Sequence, residues 1–181
     1  MKNKFSILFT IFVLALGLML PGGAFSEDGI PDTGNTSDII EPEAVLNGPC
    51  SINKVRYMGA DTSVTTTSAV LIPVPDMATT FAVTGTTPSC VMVTYTAFVW
   101  TGADELMYAV AQLDGVNGFP GEVQFDGDSD EDADGKWARS HAFTWVFTGV
   151  KPGIHTLKIN WRSFGGGTIW THKRSAMILH H

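Results

Sequence analysis

The chain has 181 residues, eleven bases against eighteen acids for a formal net charge of −7, and a mean hydropathy of +0.14. This acidic balance argues against a nucleic-acid partner and against adhesion to an anionic membrane. The length accommodates about one domain once any export segment is set aside.

Residues 1–26 read as a signal peptide. Lys2 and Lys4 precede an apolar run from Phe5 to Leu20, Pro21-Gly22-Gly23 breaks the run, and Ala24 and Ser26 sit at −3 and −1 of a cut before Glu27. The run is about 16 residues, short of the roughly 20 that a spanning helix needs, so cleavage is expected rather than anchoring. No cysteine follows the run at which a lipid could be attached. The expected product is secreted, extracellular or periplasmic, with no membrane insertion, and its charge becomes −9 (nine bases, eighteen acids).

Residues 27–49 contain prolines, glycines and acids with no sustained period, and read as an arm or linker before a domain at 50–181. Ile39-Ile40 and Val45-Leu46 are its apolar pairs. Cys50 and Cys90, the only cysteines, are expected to form one disulfide in an oxidising compartment.

Beyond Cys50 the pattern is β. "VRYMG", "TSAVLIPV" and "TTFAVTG" are short candidate strands, and "SCVMVTYTAFVW" places Val91, Val93, Tyr95, Ala97 and Val99 on one face. "ELMYAVAQLDG" aligns Met107, Ala109, Ala111 and Leu113 before a turn at Asp114-Gly115. A long acidic insertion follows. "HAFTWVFTGV" then groups Phe143, Trp145 and Phe147, and "GIHTLKINWRS" groups His155, Leu157, Ile159 and Trp161. Lys151-Pro152-Gly153 and "SFGGG" (163–167) are turns, the latter leading into "TIWTHKRSAMIL". About eight strands with no sustained helical period predict an all-β antiparallel sandwich of the jelly-roll kind. Trp100, Trp145, Trp161 and Trp170 are then expected mostly in the core.

The order "AVAQLDG", variable loop, "GIHTLKINW", "GGTIWTHKR", over residues 70–179, resembles secreted bacterial and phage-associated β-sandwich domains. These are similar in outline to the tumour-necrosis-factor and complement-globular-head jelly rolls. The resemblance implies a domain, frequently trimeric, that binds or assembles rather than catalyses. This chain lacks a collagen-like stalk, so receptor and collagen-type partners are not carried over.

The chemically distinctive stretch is "DGDSDEDADG", residues 126–135. Asp130, Asp132 and Asp134 followed by Gly135 match the opening of a calcium loop, with oxygens at positions 1, 3 and 5 and a glycine at 6. Position 12 is His141 instead of a bidentate glutamate, and the flanks are β. The stretch therefore reads as a solvated loop, with a looser calcium site completed by Asp126 or Asp128 as the alternative. His141, His155 and His172 show no transition-metal spacing, and His180-His181 is set aside as a natural tail or tag remnant. There is no Gly-x-Ser-x-Gly elbow, and Ser140-His141 adjacency is not a triad. Asp104, Glu105, Asp114 and Glu122 could be cast as a glycosidase pair only if a cleft brought two together. Arg162 and Arg174 are expected to stack or pair across strands.

The leading expectation is a non-catalytic secreted sandwich for extracellular recognition or assembly, as a homo-oligomer, with a trimer implied by the resemblance. The alternative is a carbohydrate-binding module with structural calcium, binding a glycan through exposed tryptophans. Trp137, directly after the acidic loop, is its first candidate.

Overall fold

The computed structural model describes residues 48–102, 105–127 and 138–181. Residues 1–26, expected to be a signal peptide, and nearly all of the arm expected at 27–49 lie outside the described residues. Ten strands are present: β1 (Lys54–Ala60), β2 (Val64–Thr66), β3 (Ile72–Val83), β4 (Ser89–Thr101), β5 (Leu106–Leu113), β6 (Val116–Asn117), β7 (Val123–Gly127), β8 (Arg139–Val150), β9 (Gly153–Ser163) and β10 (Ile169–His180). No helix occurs among the described residues.

The strands form two antiparallel sheets. The first runs β1-β10-β4-β8 with β2 beside β10, and the second runs β3-β9-β5-β6 with β7 beside β5. Successive long strands cross from one sheet to the other, except where β5, β6 and β7 stay together. That is the connectivity of a jelly roll. The expected fold class holds, but the strand inventory needs correction. The end of "TSAVLIPV" (72–74) and most of "TTFAVTG" (79–83) belong to one strand, β3, whose ladder shifts between Pro73 and Ala78, where Asp76 takes φ 63°. Conversely, β7 forms inside the long acidic insertion, where no strand was expected, and the short β2 and β6 bring the total to ten.

Alternation does the packing. Val91, Val93, Tyr95, Ala97 and Val99 of β4 are all buried, as are Met107, Ala109, Ala111 and Leu113 of β5 and Leu157, Ile159 and Trp161 of β9. These inner faces interdigitate into one core. Trp145 and Trp161 are fully buried in it, with the Trp145 indole N–H donating to the Gly121 carbonyl at 2.7 Å. Cys50 and Cys90 are disulfide-bonded, which ties the incoming segment to the start of β4.

In β10, strict alternation would put Trp170, His172 and Arg174 on one face. A bulge intervenes: the ladder with β4 shifts between His172 and Ser175, and Lys173 adopts φ 49°. Trp170 and His172 therefore face outward, whereas Arg174 turns inward and is 1% exposed. Its guanidinium donates to the Thr62 carbonyl at 2.5 Å and lies 3.8 Å from Asp76.

Candidate functional site

Each described carboxylate that could have served chemistry is held by a structural partner. Glu105, at the start of β5, accepts hydrogen bonds from Ser163 Oγ (2.6 Å), the Gly165 amide (3.2 Å) and the Gly167 amide (2.7 Å). Its carboxylate thus grips the β9–β10 turn. Glu122 pairs with Arg162 Nε at 2.5 Å, and Arg162 also stacks over Tyr108 at 4.4 Å, as expected for that arginine. Asp104 lies outside the described residues.

Asp114-Gly115 is a two-residue hairpin turn joining β5 to β6, with φ 51° and 83°, the mirror-turn geometry that Asp-Gly favours. Asp114 Oδ1 accepts the Thr156 amide at 2.8 Å, and Oδ2 lies 2.6 Å from His155 Nδ1. The Thr156 amide first, and His155 second, hold the Asp114 carboxyl below the usual carboxylate range. His155 Nε2 meets the Lys151 carbonyl at 2.8 Å, so both ring nitrogens are engaged and the histidine staples two turns together. His155 in β9 and His172 in β10 belong to different sheets, so their rings do not share a face.

Of the calcium candidates, Asp126 falls in β7, while Asp128, Asp130, Asp132 and Asp134 lie outside the described residues, as does Trp137. Asp126 is 7% exposed, turned inward, and its Oδ1 lies 3.1 Å from His141 Nε2, an ion-pair approach. The fold therefore joins the first acid of the loop to the histidine at position 12 of the calcium pattern. Burial pushes the Asp126 carboxyl above its usual range, against the opposing pull of His141. Among the described residues no group of three or more His, Cys, Asp or Glu side chains is placed to hold a metal.

The two aspartates have opposite pH signatures. Asp114, with its folded-state pKa lowered, stabilises the fold above the unfolded carboxylate pKa and loses that contribution as pH falls through the folded value. Asp126, with its pKa raised, disfavours the fold at neutral pH, and that penalty is relieved as pH falls through its folded value. Asp114→Asn is expected to lower the thermal midpoint at pH 7, and Asp126→Asn to raise it. Both differences should vanish in acid below both folded and unfolded values. Melting curves across pH check this, and a fall in midpoint for Asp126→Asn at pH 7 would contradict it.

The tryptophans divide differently from expectation. Trp145 and Trp161 are core, but Trp100 and Trp170 face each other across β4 and β10 on the outer side of the first sheet, half-buried. Trp170 meets Phe98 edge-on (6.1 Å) and lies parallel to His172 (5.7 Å, 19°). Trp170 thus packs against neighbouring rings on the same outer face. His172 is in turn held by Ser63 (3.3 Å) and approached by Asp61 (3.5 Å).

The rest of that outer face carries a surface that sequence reading missed. Three rows of side chains run across the four main strands: Val55, Leu179, Met92 and Val146; Tyr57, Met177, Thr94 and Thr144; Gly59, Ser175, Thr96 and Ala142. None of these twelve is charged. Thr94 and Thr144 hydroxyls bond each other at 2.8 Å, which satisfies them within the face. The rows end on the edge strand β1, where Val55 and Tyr57 are 66% and 69% exposed, and Met177 beside them is 39% exposed. Phe119, bridged to Val146, prolongs the first row at the other edge. The signal was present in "KVRYMG" and "SAMIL", but only the inter-strand register lines these residues up.

No protein-family model matches the chain, and no curated protein matches it. Among solved structures, it is similar to the infectious bursal disease virus VP2 subviral particle, at 16% identity and TM-score 0.49 over 78% of this chain and 36% of that one. It is similar to the infectious bursal disease virus Gx strain at 16% identity and TM-score 0.45, covering 78% and 37% of the two chains. Dimeric latent PorU from Porphyromonas gingivalis follows at 9% identity and TM-score 0.39, covering 73% and 14%. The chain spans little more than a third of the two viral chains, and these likenesses transfer no activity or partner to it.

Proposed function

We propose that this is a non-catalytic, secreted β-sandwich for extracellular recognition or assembly, acting as a homo-oligomer. The observation that carries the reading is the uncharged outer face of the first sheet, with Val55 and Tyr57 exposed on its free edge. Its exposed large hydrophobics, Val55, Tyr57 and Met177, cost free energy in water and gain it when covered. The structural engagement of Glu105, Asp114, Glu122 and Asp126 supports the non-catalytic part. The disulfide supports export, together with the signal-peptide pattern at 1–26. No helix among the described residues is long and apolar enough to cross a membrane. Mass measurement by light scattering between about 1 and 100 µM, the range of micromolar association, tests the assembly half. A mass that is a multiple of the chain is expected; a strict monomer throughout would leave only recognition of a different partner.

A glycan-binding reading loses Trp145 and Trp161 to the core and rests on Trp100, Trp170 and Trp137. Calcium in the acidic loop belongs to this glycan-binding alternative, whereas in the leading reading the loop is only solvated. Millimolar calcium is then expected to raise the thermal midpoint through preferential binding to the folded state. Identical midpoints in calcium and in chelator would remove the ion from the account.

A further inference from the structure

The charge and size of the uncharged face point to its occupant, resting on the assembly reading above. The chain carries −7, or −9 without residues 1–26, so two copies approaching at random present like charges to each other. The three rows from Val55 to Ala142 contain no Asp, Glu, Lys or Arg, so copies meeting here avoid that repulsion at the contact itself. A foreign partner of opposite charge would gain nothing from such a surface.

Size agrees. Four strands about 4.8 Å apart and three rows about 6.8 Å apart cover roughly 400 Å² in plan. Continuing the face to Phe98, Trp100 and Trp170, past His172 and its Asp61 neighbour, extends it to roughly 500 Å². That approaches the ~800 Å² that each partner contributes to a standard stable interface. Twisted antiparallel faces stack about 10 Å apart with their strands some 30° off parallel. The same patch used by both copies closes into a two-fold pair, whereas a trimer needs two different patches.

We propose that the outer face of the β1-β10-β4-β8 sheet packs against the same face of a second copy, forming an isologous dimer. Met177 and Thr94 lie at its centre, and Val55 and Tyr57 close one side.

The test uses the full secreted chain and three single substitutions, each followed by solution mass and thermal midpoint. Met177→Glu and Tyr57→Glu place a charge in the face from two different strands. Ile154→Glu is the control, because Ile154 is 81% exposed on the other sheet. The expected result is twice the chain mass for the unaltered protein and for Ile154→Glu. Met177→Glu and Tyr57→Glu should each weaken association at least tenfold while still melting cooperatively, and Tyr57→Glu serves should Met177→Glu fail to fold. An unaltered protein that dimerises while Ile154→Glu alone dissociates would overturn the inference and leave the assembly reading intact. A threefold mass would do the same. A monomer throughout the concentration range would overturn both the dimer and the assembly half of that reading.

Discussion

Replacing both Cys50 and Cys90 with alanine is expected to lower stability by about 4 kcal/mol, the entropy of closing a loop of 40 residues in the unfolded chain. For a domain of this size that corresponds to a midpoint some 10–20 °C lower. The loss is large against the ~5–15 kcal/mol that separates folded from unfolded domains. The native side of the bond also matters. β1 is held in the first sheet through its ladder to β10, and the segment before it is fastened to β4 by the disulfide. The neighbouring Ser51–Ser89 pair adds two hydrogen bonds at 3.1 Å, from the Ser51 amide to Ser89 Oγ and from that hydroxyl to the Ser51 carbonyl. Without the bond, β1 is the element expected to fray first, and with it the exposed Val55 and Tyr57 at the end of the uncharged face. The alanine pair should therefore also weaken self-association at temperatures where the sandwich is still folded. Reductant should bring the unaltered protein down to the variant's midpoint and leave the variant unchanged. Equal midpoints with and without the bond would remove this contribution.

Much of the fold was legible because alternation is a local signal. Val91 to Val99 and Leu157 to Trp161 each declare a buried face without reference to any other strand, and Asp114-Gly115 and Pro152-Gly153 declare their turns by backbone preference alone. What was not legible depends on pairing. The bulge at Lys173 inverts β10 midway, so Trp170, expected in the core, faces outward, and Arg174 becomes the buried residue. A left-handed backbone is uncommon at lysine, and nothing in "THKRS" marks the inversion. The shift at Asp76 similarly hides one long strand behind two short patterns. The acidic groups show the same limit. Glu105 and Gly167 are 62 residues apart in sequence, so Glu105 reads as one more surface acid until the turn closes over it. The uncharged face is a product of register: its residues come from four strands, and each row takes one from every strand.

Glu105→Ala is expected to destabilise the domain by about 3 kcal/mol, with the midpoint roughly 10 °C lower, because it orphans three donors at once. Ser163 is fully buried, and its hydroxyl serves two partners: it donates to Glu105 and accepts the Gly166 amide at 3.0 Å. Removing the carboxylate therefore loosens both ends of the 163–167 turn. Glu105→Gln retains one acceptor oxygen but aims an amide donor at other donors, so an intermediate loss is expected. The glycines of the turn are explained by the same contact. A Cβ on Gly165 would come within 2.6 Å of Glu105 Oε1, and one on Gly167 would collide with the same oxygen. Gly167→Ala alone must push the carboxylate out of its cage, and it should cost as much as losing the hydrogen bonds. In the Glu105→Ala background the space is vacant, so adding Gly167→Ala should then cost little. Such strong non-additivity is the signature of one shared contact. Costs that simply summed would mean that the glycine and the glutamate act independently, and that the turn is held by something other than this carboxylate. Because the turn delivers the chain into β10, through the outward-facing Trp170 and on to Met177, its loosening should also be read in solution mass. Glu105→Ala is expected to associate more weakly than the unaltered protein well below its own melting midpoint.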